Sequence, residues 1–371
     1  MGNPAIIPVT MPKWGLSMQE GKVVEWLIPV GTSVQPGDQM LDIETEKIAN
    51  TFEALDAGLL RRQVAQPDDV LPIGALLGVL APESVSDAEI DAYITEFQAN
   101  YVPPEDTGGD SGPDYRWADV GGMRLRYVKV GEAGPAVILL HGFGGDLGNW
   151  LFNQEPLAAG AQVYALDLPG HGQSSKTLAD ASVPGLAAAV AGFMEAVGIA
   201  EAHLVGHSLG GAISLQLAAS HPGRVLSLSL LAPAGLGSAI NGAYLKGFIE
   251  GESRREMKPV LQQLVADPEL ITRQLIDDIL KFKRTDGVPE ALVAISAGFI
   301  DGDTQKVDLR DVPARAAVPV QVIWGREDRI IPVAQAEGLP GGVAVHVLDG
   351  VGHLVQMEAA TQVNALIKAL L

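Results

Sequence analysis

The sequence predicts a two-domain chain, a small all-β unit followed by a larger α/β unit with a parallel sheet and a helical lid. Three observations carry this. Short strand-like runs separated by turn residues fill positions 4–82, with nothing helical between them. From 114 to 371, strand-like runs alternate with helical ones. Between the two, residues 83–113 hold eight acidic and no basic side chains. The length of 371 residues agrees with two domains, at about 150 residues per domain.

In the first unit the candidate strands are Ala5–Val9, Gly21–Leu27, Gln39–Glu44, Ala49–Glu53 and Leu76–Leu80. The acidic stretch contains Pro103-Pro104, Gly108-Gly109 and Gly112-Pro113 and reads as a linker. Part of it is helical in pattern. Ser86-Asp87-Ala88-Glu89 has capping-box spacing, and Ile90, Tyr93, Ile94 and Phe97 follow on one face. That apolar stripe must dock, either on a domain of its own chain or on a partner subunit.

In the second unit the candidate strands are Ala136–Leu140, Gln162–Leu166, His203–Val205, Val225–Leu230, Val320–Trp324 and Val343–Leu348, with helices such as Val183–Val197 and Leu209–Ser220 between them. The alternation breaks at about 236–304, where helical residues dominate. An insertion between late strands of such a sheet commonly covers the active site.

Composition narrows the function classes. Apolar residues make up 47% and charged residues 19%, a folding composition. With 25 basic against 45 acidic side chains the formal charge is −20. So acidic a surface argues against non-specific binding to nucleic acid or anionic membrane. Cysteine is absent, which removes disulfides, thiolate metal sites and a cysteine nucleophile together; no metal centre is expected. Residues 1–30 lack a basic start followed by an apolar run, and no apolar run approaches the roughly 18 residues of a membrane span. These features predict a soluble cytoplasmic protein.

A lysine marks the first unit. In Asp42-Ile43-Glu44-Thr45-Glu46-Lys47-Ile48-Ala49-Asn50-Thr51, alternation runs on both sides of Glu46-Lys47, as if two strands met at a turn with Lys47 at its tip. Gly31 and Gly58 flank it, where chain reversals are expected. With the opening Met11-Pro12-Lys13-Trp14-Gly15, these features make residues 4–82 resemble a lipoyl domain, the swinging-arm carrier of 2-oxo acid dehydrogenase complexes. Biotin carriers share that fold but flank their lysine with methionines, whereas Lys47 stands between Glu46 and Ile48. The resemblance implies (R)-lipoate attached covalently to Lys47 by a lipoate ligase. Glu46 stands where the family usually has aspartate.

A serine marks the second. Gly206-His207-Ser208-Leu209-Gly210 follows an apolar strand and opens a helix, the strand–turn–helix setting of a nucleophile elbow. A serine hydroxyl needs a base, and the base an acid to orient it. His353, in a glycine-rich loop after the last strand, is the expected base, ahead of His221 and His346. Asp328, after strand Val320–Trp324, is the expected acid, with Asp349 the alternative. The loop His141-Gly142-Phe143-Gly144-Gly145 is expected to supply the Phe143 N–H to an oxyanion hole shared with the Leu209 N–H, His141 holding the loop. Asp167-Leu168-Pro169-Gly170-His171-Gly172 reads as a scaffold turn. This pattern, over 114–371, resembles the α/β-hydrolases.

Fused on one chain, a lipoyl carrier and a serine triad resemble the E2 acetyltransferase subunits of bacterial acetoin dehydrogenase complexes. The resemblance implies an enzyme that moves acetyl from lipoyl-Lys47 to coenzyme A, with a thiamine-diphosphate-dependent E1 and a dihydrolipoyl dehydrogenase E3 as partners. The chain departs from most E2 subunits in lacking their His-x-x-x-Asp-Gly signature and a peripheral-subunit-binding pattern in the linker. Two other readings remain: a lipoyl-linked thioesterase or carbon–carbon hydrolase, since a triad does not itself exclude water, and a carrier with a silent hydrolase-like domain. The densest basic run, Lys281-Phe282-Lys283-Arg284, lies in the expected lid. Lys281, Lys283 and Arg284 are therefore candidates for the phosphates of coenzyme A.

Overall fold

In the computed structural model, which describes residues 3, 5–14, 18–45, 49–103, 114–339 and 342–371, the chain divides into two units, Met1–Gly112 and Pro113–Leu371. The first is built from β1 (Ile7–Thr10), β2 (Glu20–Trp26), β3 (Ser33–Val34), β4 (Gln39–Glu44), β5 (Ala49–Glu53), β6 (Gly58–Gln63), β7 (Val70–Pro72) and β8 (Leu76–Leu80). They form two four-stranded sheets in the orders β1-β8-β6-β3 and β5-β4-β2-β7. Val23 and Ile43 from one sheet and Leu60 and Leu77 from the other are fully buried in one core.

Strands β3, β6 and β7 go beyond the sequence expectation. β6 reads Gly-Leu-Leu-Arg-Arg-Gln, and its adjacent arginines break the period-2 pattern. Tertiary structure explains them. Arg61 pairs with Asp87 at 2.9 Å and Arg62 with Asp91 at 3.2 Å, both on helix α1 (Asp87–Asn100). Gly31 has a left-handed φ of +95°, as a reversal requires. Gly58 instead lies within β6, where a Cβ would stand 2.9 Å from Leu80 Cβ. Its need is close packing rather than chain reversal.

The capping box forms at the start of α1, with Ser86 and Glu89 exchanging hydrogen bonds. Ile90 is fully buried, and Tyr93, Ile94 and Phe97 pack with it against Ile6, Leu76, Val79 and Val85. The apolar stripe thus docks on the first unit of its own chain, so part of the acidic stretch belongs to that unit. Residues 104–113 lie outside the described residues.

The second unit opens with β9 (Tyr115–Val120) and β10 (Met123–Val130), followed by β11 (Ala136–Leu140), α2 (Gln154–Ala158), β12 (Gln162–Leu166), α3 (Val183–Ala196), β13 (Ala202–His207), α4 (Leu209–Ser220) and β14 (Val225–Leu231). Helices α5 (Gly242–Glu250), α6 (Arg254–Leu261), α7 (Arg273–Lys283) and α8 (Val288–Phe299) form the insertion, closed by the two-residue strands β15 (Ile300–Asp301) and β16 (Thr304–Gln305). The chain finishes with α9 (Val312–Arg315), β17 (Val320–Gly325), β18 (Val343–Leu348), α10 (Val355–Glu358) and α11 (Ala360–Lys368).

The main sheet runs β18-β17-β14-β13-β11-β12-β10-β9. It is parallel from β12 to β18, but β10 and then β9 at the edge add antiparallel strands beyond β12, so the sheet is mixed rather than purely parallel. Arg116, Arg124 and Arg126 hid these two strands from a reading by hydrophobicity. Val137–Leu140 are fully buried, as central parallel strands covered on both faces require. Among the described residues no helix is long and apolar enough to cross a membrane.

Candidate active site

The carboxyl ends of the parallel strands bring four loops together, the place where open α/β sheets gather ligands. At the end of β13 the chain turns sharply into α4. Ser208 sits at the turn with φ +53° and ψ −116°, a left-handed conformation strained for a side-chain-bearing residue. The flanking glycines make that turn sterically feasible. A Cβ at Gly206 would stand 2.4 Å from Gly210 O, and one at Gly210 would stand 2.1 Å from Leu140 O. Ser208 N–H donates to Leu231 O at 3.0 Å, which ties the turn to β14.

His353 follows β18, and its Nδ1–H donates to Asp328 Oδ2 at 2.7 Å. Both side chains are buried. Asp328 also accepts from Trp324 Nε1 at 3.0 Å and from the Ile330 and Ile331 N–H groups at 2.8 and 3.0 Å. The carboxylate is therefore solvated by the protein in place of water. Asp349, the alternative acid, pairs with Arg326 on the surface. His221 lies exposed at the end of α4, and His346 lies on edge strand β18. His207 donates from Nε2 to His353 O at 2.9 Å, the rings 4.7 Å apart. Burial, with His353 adding to it, holds the His207 pKa well below the ordinary histidine value and keeps the ring neutral.

The loop after β11 lies against the serine, since a Cβ at Gly142 would stand 3.0 Å from Ser208 Cβ. His141 holds this loop, donating from Nδ1 to Gly142 O at 2.8 Å and accepting at Nε2 from Leu168 N–H at 3.0 Å. Burial lowers its pKa, as the neutral tautomer needed for that pair requires. Asp167 accepts from Arg126 Nε at 2.6 Å and from Leu147 N–H at 2.9 Å. His171 is buried and its pKa is pushed down to about 3. Leu209 opens α4, where first-turn N–H groups have no intrahelical acceptor.

Ser208 and His353 line a cavity of about 70 Å³ with Gly142–Gly145. The lid roofs it with Tyr244 and Phe248 of α5, Ile279 of α7 and Phe299 of α8. The cavity leaves room for a small acyl group beside buried Ser208 and His353, with Asp328 buried behind the imidazole.

The lid cations differ in setting. Lys283 Nζ donates to Gly251 O and stands 5.6 Å from the Phe248 ring centroid, and burial lowers its pKa. Lys281 and Arg284 are exposed. Gly15, Glu46 and Lys47 lie outside the described residues, but the strands that bracket Lys47, β4 and β5, pair antiparallel up to Glu44 opposite Ala49. Among the described residues no cluster of three histidines or carboxylates could hold a metal ion.

Comparison with known proteins covers both units. Residues 135–360 match a family profile described as the alpha/beta hydrolase fold, and residues 7–80 one described as biotin-requiring enzyme. The chain is 51% identical, over 99% of its length and 97% of the relative, to the dihydrolipoyllysine-residue acetyltransferase component of the acetoin cleaving system of Cupriavidus necator. It is 50% identical to the component of the same name in Pseudomonas putida, over 96% of each chain. Among solved structures, the meta-cleavage product hydrolase of Pseudomonas fluorescens is 24% identical with a TM-score of 0.62, covering 69% of this chain and 96% of that one. That last likeness shows the fold alone.

Proposed function

The chain belongs to the family of dihydrolipoyllysine-residue acetyltransferase components of acetoin cleaving systems, and its second unit to the α/β-hydrolase fold family, and from that premise we propose that Ser208, His353 and Asp328 carry its acyl transfer. The protein is an acyltransferase and one component of a larger system. The observation that carries the assignment is the buried 2.7 Å Asp328–His353 hydrogen bond beside a serine held at φ +53°.

With Nδ1–H fixed on Asp328, Nε2 of His353 is left as the base. It takes the Ser208 proton as Oγ attacks the carbonyl carbon of an acyl thioester. The Phe143 and Leu209 N–H groups stabilise the tetrahedral oxyanion. The carbon–sulfur bond then breaks, and His353 returns the proton to the departing sulfur, leaving an acyl-serine. In the second half His353 removes the thiol proton of coenzyme A, whose sulfur attacks the acyl-serine. That proton returns to Ser208 Oγ, and the acyl group leaves on coenzyme A.

The first unit fits a covalently attached lipoate: Lys47 offers the amine for the amide, and the paired strands β4 and β5 bracket it. Bound there, lipoate supplies the dithiol that presents acetyl as a thioester, and tethering raises its local concentration. In this reading a lipoate ligase modifies Lys47, a thiamine-diphosphate-dependent E1 and a dihydrolipoyl dehydrogenase E3 are the partners, and the cytoplasm is the compartment. Lys281 and Arg284 present their charge to the phosphates of coenzyme A, while Lys283 braces the lid beside them.

The test uses lipoylated full-length protein with an acetyl donor and coenzyme A, and measures acetyl-coenzyme A against free acetate. Acetyl-coenzyme A should dominate, and acetyl trapped on Ser208 should appear by mass spectrometry. Full transfer by Ser208→Ala would overturn the nucleophile assignment.

A further inference from the structure

Glu358, at the end of α10, holds its carboxylate where three backbone N–H groups converge. Oε2 accepts from Ala266 at 2.7 Å and from Gly352 at 3.0 Å, and Oε1 accepts from Leu354 at 3.1 Å. Two of the donors flank His353 in sequence, and the third belongs to the lid segment that follows α6. The lid segment and the histidine loop also bond directly. Leu264 O accepts from His353 N–H at 2.8 Å and from Leu354 N–H at 3.2 Å. The two backbones touch so closely that a Cβ at Gly352 would stand 2.7 Å from Ala266 N. On its other side the loop is held by Glu327, which accepts from Val351 N–H at 3.0 Å, and by His207 on the His353 carbonyl.

We infer that Glu358 is a positioning residue for this reaction, its carboxylate fixing the loop that carries His353 and fastening the lid segment Leu264–Ala266 to that loop. The inference rests on the reading of Ser208 and His353 as nucleophile and base. Glu358 is not among the residues lining the cavity, so it acts through His353 rather than on the acyl group. No neutral side chain of this length replaces it, because glutamine has one acceptor oxygen and its NH2 would face a backbone N–H. The charge is held at a cost. Burial pushes the Glu358 pKa up to about 7, against the pull of the three N–H groups and of His353, the titratable group that faces it. The carboxylate form accepts from all three N–H groups and so places the loop most closely, at the cost of a buried charge. Protonation relieves that cost and turns one oxygen into a donor that no longer matches the N–H it faces.

The test compares full-length wild type, Glu358→Gln, Glu358→Asp and Ser208→Ala, with p-nitrophenyl acetate as probe and hydrogen exchange read at the Ala266 amide. Glu358→Gln should lower kcat about tenfold at pH 8 with KM little changed, as misplacement of the base predicts. The deficit should shrink to about twofold at pH 6, where wild type is itself mostly protonated at Glu358. The Ala266 amide should exchange at least about tenfold faster in the variant at pH 8. Glu358→Asp, which keeps the charge on a shorter arm, should fall between glutamine and wild type in kcat. Should the glutamine variant not fold, faster Ala266 exchange in Glu358→Asp gives the same reading. A deficit equal at both pH values, wild-type turnover in Glu358→Gln, or unchanged protection of Ala266 would overturn the inference. Wild-type turnover in Ser208→Ala would instead overturn the nucleophile assignment, and the exchange result at Ala266 stands apart from it.

Discussion

His353 Nδ1 and Asp328 Oδ2 lie 2.7 Å apart with both side chains buried, although 24 residues separate them in the chain. Their bond occupies Nδ1 and leaves Nε2 for the proton transfer proposed with Ser208, and the consequences can be measured.

Asp328→Asn should leave the loop folded but present the wrong imidazole tautomer, lowering kcat by about 10⁴-fold. Asp349→Asn, which loses only a surface pair with Arg326, should change kcat less than about twofold. Equal losses in both variants, measured as acetyl-coenzyme A formation, would remove Asp328 from the site.

Ser208→Ala and His353→Ala should each reduce transfer by a similar factor, on the order of 10³-fold or more, and the double variant should be little worse. Steady-state kinetics of all three variants checks the non-additivity that joint action requires.

Lys47→Arg should keep the charge and abolish carriage, because a guanidinium does not form the lipoyl amide. After expression with lipoate and ligase, the intact mass should equal that of the unmodified chain. Hydrolysis of p-nitrophenyl acetate at Ser208 should persist. A lipoyl mass increment on Lys47→Arg would place the modification elsewhere.

Lys281→Gln with Arg284→Gln should raise the coenzyme A KM and flatten its salt dependence while leaving small-ester hydrolysis unchanged. Lys283→Gln should act differently. Its ammonium braces Gly251 and the Phe248 ring at the roof of the cavity, so its loss should also disturb small-ester turnover. An unaltered coenzyme A KM in the double variant would discard the phosphate contact.

Glu358 also links pH to stability. Its folded-state pKa of about 7 lies above the ordinary 4.5, so between those values the folded chain holds a proton that the unfolded chain has released. The stability contributed by this group is full below about pH 4.5 and declines as pH rises to about 7, by on the order of 3 kcal/mol at most. Glu358→Gln does not titrate. The difference in Tm, variant minus wild type, should therefore grow from pH 5 to pH 8, with the buried histidines cancelling between the two proteins. A difference that stays flat in paired thermal melts would contradict the raised pKa.

The sequence by itself determined the two-unit organisation, the strand–turn–helix around Ser208, the capping box of α1 and the strands that bracket Lys47. Each depends on local preferences: period-2 or helical hydrophobicity, a serine cap, glycines where a sharp turn leaves no room for a Cβ. Local signals also found the acid and base candidates, because chain order in this fold restricts them to the loops after late strands. Only tertiary structure decided between Asp328 and Asp349 as the partner of His353, since both follow strands and only packing shows which one faces the imidazole. It decided likewise that Arg61 and Arg62 in β6 pair with α1, that β9 and β10 join the sheet antiparallel, and that Lys283 turns inward while Lys281 and Arg284 stay exposed. Glu358 had no sequence signal at all. A carboxylate five residues after a histidine looks like any solvated helix residue until distant backbone N–H groups, from Ala266 and from the loop around His353, converge on it.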